Sequence, residues 1–92
     1  MRTVYDPQYM EFIARLRTVR KSKNYSQANL AELLNKPQSY VSKVETCERR
    51  IDVIESARWC LALGVSLEDV LPFDLKVSDS RSATIRPGKS ER

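Results

Sequence analysis

Apolar residues recur at helical intervals in separated stretches of this chain, and no stretch shows the strict alternation of a strand. Asp6-Pro7 reads as a helix start, because an Asp side chain accepts from free backbone N–H groups and proline is preset for the first turn. Phe12, Ile13, Leu16 and Val19 then give helix 1 an apolar side over about 7–23. Ser26 is a good N-cap for a second helix, with Leu30, Ala31, Leu33 and Leu34 inward. Asn35 sits where the chain must turn, since asparagine tolerates the left-handed conformation, and Pro37 presets the next helix. That third helix has only Val41 and Val44 as strongly apolar positions. Asp52 with Glu55 predicts a capping box for a fourth helix, with Ile54, Ala57, Cys60, Leu61 and Leu63 inward and Gly64 as its stop. Ser66 and Asp69 cap a short fifth helix carrying Leu67, Val70 and Leu71, which Pro72 ends.

The second and third helices are each too short to be stable alone, and about three turn residues join them. They must be held at a steep angle by other helices, which is the helix-turn-helix arrangement at about 26–45. The polar side of helix 3 then projects outward, and its residue types suit base edges in a major groove. Gln38 can pair two-pronged with adenine, Ser39 and Ser42 can donate or accept, Lys43 suits guanine or phosphate, and Tyr40 offers a ring to a thymine methyl. Gln27 and Asn29, in the first turn of helix 2, suit phosphate oxygens, as do Lys36 in the turn and Arg49 and Arg50 in the loop after helix 3.

With the pieces "LRTVR", "SQANLAELLNKPQSYVSKVE", "ERRID" and "LGVSLEDVL" in this order, the chain resembles the lambda-repressor/Cro-like (Xre) helix-turn-helix family over about residues 12–71. The resemblance implies a five-helix all-α DNA-binding domain. It implies homodimeric binding to double-stranded DNA at a pseudo-palindromic operator, with Gln38, Ser39, Tyr40, Ser42 and Lys43 reading bases. It also implies that Glu45 pairs with Arg20 to orient helix 3. Two departures stand out: Asn35 replaces the usual turn glycine, and Cys47 stands where the following loop commonly has glycine. If that position needs a positive φ, Cys47 is strained; otherwise the loop differs and carries Arg49 and Arg50 with it.

Length and composition sharpen this picture. With 92 residues, 41% hydrophobic and 30% charged, the chain suits one folded domain, expected over 7–75. Its net charge of +4 is unevenly spread. Residues 15–50 carry nine Lys or Arg against three acids, whereas residues 51–75 carry Arg58 alone against five acids. One face is therefore expected to steer toward a polyanion. Residues 76–92 hold five Lys or Arg and almost no large apolar residue, so a flexible basic tail is expected there. No apolar run approaches the roughly 18 residues of a membrane span, and the N-terminus lacks a secretory h-region, so no membrane partner and a cytoplasmic location are expected.

The chemistry of catalysis is thinly represented. The chain has no histidine, and its two cysteines, Cys47 and Cys60, form no CxxC pair. A metal site, a cofactor and an enzyme are therefore not expected. Cys47 beside Arg49 and Arg50 is either a plain thiol or one whose thiolate the cations favour. Cys60 reads as core. Trp59 either packs in the core or forms a dimer surface with Leu67 and Val70.

These readings converge on a sequence-specific, homodimeric transcriptional repressor. The rival readings are the antitoxin of a toxin–antitoxin pair that also binds DNA, with the tail folding on the toxin, and an accessory coactivator that uses the same fold to hold protein.

Overall fold

In the computed structural model, residues 6–75 are described, and among them every regular element is helical. The helices are α1 (Pro7–Ser22), α2 (Gln27–Leu34), α3 (Gln38–Glu45), α4 (Val53–Leu63) and α5 (Leu67–Val70), followed by a 3₁₀ turn at Phe73–Leu75. The five-helix all-α architecture is the expected one, and the tail expected at 76–92 lies outside the described residues.

Local chemistry sets most helix starts. Asp6 Oδ1 accepts the N–H groups of Gln8 and Tyr9 at 2.8 and 3.3 Å, with Pro7 opening α1. Reciprocal capping boxes start three further helices, Ser26 with Asn29, Asp52 with Glu55 and Ser66 with Asp69. Only α3 begins without a side-chain cap, on Pro37.

Helix ends follow a single pattern. A residue with φ between 60° and 75° ends each of α1 to α4: Asn24, Asn35, Cys47 and Gly64. The next N–H then reaches back five residues, Tyr25 to Arg20, Lys36 to Ala31, Glu48 to Lys43 and Val65 to Cys60, at 2.9–3.1 Å. Just one of the four is glycine. Cys47 does occupy the positive-φ position, with φ 65°, so the loop after α3 keeps its usual form at the cost of strain at a residue with a Cβ.

The core joins Phe12, Ile13 and Leu16 of α1, Leu30 and Ala31 of α2, Val41 and Val44 of α3, Ile51, Trp59, Cys60 and Leu63 around α4, and Val70 of α5. Three expectations need correcting. In α4 the buried face is Ser56, Trp59, Cys60 and Leu63, whereas Ile54, Ala57 and Leu61 point outward. The segment VIESARWCLAL is apolar nearly all round, so spacing alone does not fix its phase. The indole does: Trp59 is wholly enclosed, and Ser56 is tolerated beside it because its hydroxyl donates to Asp52 O at 2.9 Å. Likewise Leu33 lies 56% exposed rather than inward. Trp59 and Val70 are both sealed inside the monomer and Leu67 is half-buried, so the expected dimer surface of Trp59, Leu67 and Val70 does not exist.

Candidate nucleic-acid interface

The α2–turn–α3 unit is fixed from beneath by charge. Arg20 of α1 meets Glu45, the last residue of α3, through two parallel bonds, Nε to Oε2 at 2.7 Å and Nη2 to Oε1 at 3.0 Å. Both side chains are enclosed, 7% and 2% exposed. The remaining guanidinium nitrogen, Nη1, donates to Tyr25 O at 2.7 Å, tying the link before α2 into the same group. A desolvated pair is worth keeping only with such geometry, because each ion loses several kcal/mol of hydration.

A chain of amides carries this anchor outward. Gln27 Nε2 donates to Glu45 Oε1 at 2.9 Å, and Gln38 Nε2 donates to Gln27 Oε1 at 3.4 Å. Gln38, at the exposed start of α3, is thereby oriented through two hydrogen bonds by a carboxylate buried at the end of the same helix. Arg17 Nε stands 3.9 Å from Glu45 Oε1 with its side chain half in solvent, a cation at this edge that sequence reasoning did not single out.

The outward face of α3 consists of Gln38, Ser39 and Lys43, exposed, and Ser42, half-buried. The opposite face, Val41, Val44 and Glu45, is buried. At 100° per residue, positions 38, 39, 42 and 43 share one side, so the structure brings these four expected residues together.

Tyr40 lies elsewhere. Its hydroxyl accepts from Trp59 Nε1 at 3.2 Å and donates to Glu55 Oε2 at 3.1 Å, so it faces α4 and not the open side of α3. Its ring lies between the Lys36 ammonium, 5.3 Å from the centroid, and the Arg49 guanidinium at 4.8 Å. Burial pushes the Tyr40 hydroxyl above its ordinary range, Glu55 adding to the rise and Trp59 and Arg49 opposing it. Glu55 is the residue that sequence reasoning under-read. Besides capping α4 through Oε1, it takes Arg49 Nη1 at 2.9 Å on Oε2. Partial burial raises the Glu55 pKa, but the Asp52 N–H, Arg49 and Tyr40 together outweigh it and hold the carboxyl below its usual range.

The two loop arginines diverge. Arg49 stays beside α3, while the Arg50 guanidinium stacks 4.2 Å over the Tyr9 ring at the start of α1, whose hydroxyl accepts the Ile51 N–H at 3.2 Å. Asn29 spends its carbonyl oxygen on the Ser26 N–H at 3.0 Å. Burial raises the Cys47 thiol, with Arg50 pulling the other way, so the cations do not produce a stabilised thiolate.

The helix-turn-helix family model matches residues 16–70, more than half of the chain, and that span includes α2, the turn and α3. The chain belongs to the Cro/C1-type helix-turn-helix family. Solved structures agree. This helix-turn-helix protein is similar to an XRE-family-like protein from Pseudomonas syringae, at 32% identity over 92% of this chain and 94% of that one, with a TM-score of 0.68. The restriction-modification controller protein C.AhdI from Aeromonas hydrophila is 29% identical over 72% of this chain and 100% of its own, with a TM-score of 0.66. The clp gene regulator ClgR from C. glutamicum is 32% identical over 71% and 86% of the two chains, with a TM-score of 0.64. Among curated proteins none matches significantly. Family and fold are those of DNA-binding transcriptional regulators. No helix among the described residues is long and apolar enough to cross a membrane.

Proposed function

We propose that this helix-turn-helix protein is a sequence-specific repressor that binds a pseudo-palindromic operator as a homodimer and acts by occupying it. The observation that carries this reading is the division of α3. Gln38, Ser39, Ser42 and Lys43 share its open side, while Val41, Val44 and Glu45 lock its other side to α1 and α2. A helix held so rigidly can enter a major groove with its N-terminal side chains at base edges. Gln38 reads adenine through its carboxamide, oriented by Gln27, and Lys43 reads guanine. Ser39 and Ser42 accept or donate at neighbouring edges, each good contact contributing about 1–3 kcal/mol of discrimination.

Phosphate contacts come from the exposed N-terminus of α2 with Gln27 and Asn29, from Lys36 in the turn and from Arg49. Each neutralised phosphate adds to the salt dependence of binding. Tyr40 and Arg50 serve this surface indirectly, because one is tied to Trp59 and Glu55 and the other stacks on Tyr9.

Selection of bound sequences from a random duplex library, with titration of the winner at several salt concentrations, tests the reading. An inverted repeat with half-sites about one helical turn apart is expected. Weak, steeply salt-dependent binding without an enriched motif would overturn it. A promoter fused to that repeat should lose expression when the protein is supplied; a rise would replace repression by activation.

A further inference from the structure

Of the residues expected to read bases, Tyr40 is the one that the fold turns toward α4, and the groups gathered on its ring have a common character. Lys36 comes from the turn before α3 and Arg49 from the loop after it, yet both bring their charge to this ring, at 5.3 and 4.8 Å from its centroid. The far end of the ring is anchored. Its hydroxyl accepts from Nε1 of the wholly enclosed Trp59 and donates to Glu55 Oε2 near the start of α4. We propose that Tyr40 is a positioning residue: its anchored ring holds Lys36 and Arg49 as a two-cation clamp for neighbouring phosphates of one DNA strand, beside the groove that α3 enters. The proposal deepens the DNA reading above and rests on it.

Both cations keep the donors that a phosphate needs. Arg49 spends Nη1 on Glu55 Oε2 at 2.9 Å and on Arg50 O at 3.3 Å, while among the described residues its Nε and Nη2 have no acceptor. That Nε–Nη2 edge is the one with which Arg20 grips Glu45, and it suits a phosphate equally well in two-pronged fashion. The exposed Lys36 ammonium makes no ion pair or hydrogen bond among the described residues. One carboxylate, Glu55, thus stands against two cations, and the group stays net positive. A ring face attracts cations through its quadrupole without neutralising them, so stacking orders the two charges and leaves them available. Long basic side chains lose rotamer freedom when they settle on a phosphate, and two that are already ordered lose less. The placement also suits a duplex. At 100° per residue, Tyr40 and Glu45 border the open side of α3 from its two edges. Gln27 is tied to the Glu45 edge, so the clamp adds backbone contact at the other one.

Titration of the full chain on its selected operator and on single-base variants of it, at several salt concentrations, tests the clamp. Lys36→Ala and Arg49→Ala should each lower the slope of log affinity against log salt by about one. Tyr40→Leu keeps both cations but removes the ring; it should lower the slope by about one to two and weaken every operator variant by the same factor. Tyr40→Phe loses the hydroxyl bonds, and some stability with them, but keeps the ring and should keep the slope. With Lys36→Ala and Arg49→Ala both in place, Tyr40→Leu should lower the slope no further, an outcome that damage to the fold does not reproduce. A folded Tyr40→Leu chain with the wild-type slope would overturn the clamp. Alanine variants of the exposed Lys36 and Arg49 that leave the slope unmoved would overturn it too, whether or not Tyr40→Leu folds. A wild type that keeps its base preference through either result retains the DNA reading and loses the clamp alone, whereas a wild type without base preference defeats both.

Discussion

On its α1 side the α3 helix is held by a bidentate ion pair from which water is excluded. On its α4 side it is held by the Tyr40 phenol, which accepts from the enclosed Trp59 indole and donates to the Glu55 carboxylate nearer the surface. The first attachment is expensive to break, because removing either partner strands a charge in the interior. The second is a set of smaller interactions, and its outermost member, Arg49 with Glu55, has one side chain 44% exposed to screening solvent. Orientation of α3 is therefore concentrated in Arg20 and Glu45, while the α4 side adjusts its flank and carries Lys36 and Arg49 on the Tyr40 ring.

The sharpest way to break that contrast is Arg20→Ala, which should cost about 3–5 kcal/mol in urea unfolding, a large share of the stability of so small a domain. Replacing both partners, Arg20→Met with Glu45→Leu, should recover most of the loss, because no charge is left buried. The same double variant removes the acceptor of Gln27, so preference at the operator position read by Gln38 should fall even where folding is restored. A double variant that keeps full preference would show that the amide chain does not orient Gln38.

Tyr40→Phe probes the other side. It leaves the Trp59 indole N–H enclosed without an acceptor and should cost about 1–2 kcal/mol. Base preference should stay as in the wild type, measured on the same operator variants; a change at one base pair would instead make Tyr40 a reader. Cys47→Gly is expected to stabilise by about 1 kcal/mol, since it relieves a side chain held at positive φ beside the end of α3.

The smallest effect is one of pH. Glu55 titrates below its ordinary range when folded, so its contribution is fully present above the ordinary carboxylate pKa and is lost as pH falls through the lower folded value. Urea midpoints should therefore drop below about pH 4, and Glu55→Gln should flatten that drop by less than about 1 kcal/mol.

Most of the architecture was legible because its signals are local. Asp6, Ser26, Asp52 and Ser66 start helices where their side chains can reach free N–H groups, and Asn35 and Gly64 end them where left-handed backbone is tolerated. Four of the five residues expected on the outward side of α3, Gln38, Ser39, Ser42 and Lys43, were legible for the same reason, as a polar side opposite Val41 and Val44, whereas Tyr40 turns to Trp59 and Glu55 instead. What escaped depends on partners distant in sequence. The phase of α4 follows from the Trp59 indole finding Tyr40, 19 residues away. The second duty of Glu55 lies with Arg49 across a loop, and the divergence of Arg49 from Arg50 depends on the rings of Tyr40 and Tyr9 that each one finds. Periodicity carries no information on which of two apolar faces an indole will choose.

The repeated left-handed stop at Asn24, Asn35, Cys47 and Gly64 also bears on how fast the chain finds its fold. Each helix end is encoded within its own last turn, and the connections between helices run only from three residues (35–37 and 64–66) to seven (46–52). A chain whose contacts are mostly local has little loop entropy to overcome before packing begins. Such topologies fold on the scale of microseconds to milliseconds, with the pairing of Arg20 and Glu45, 25 residues apart, among the later contacts to form.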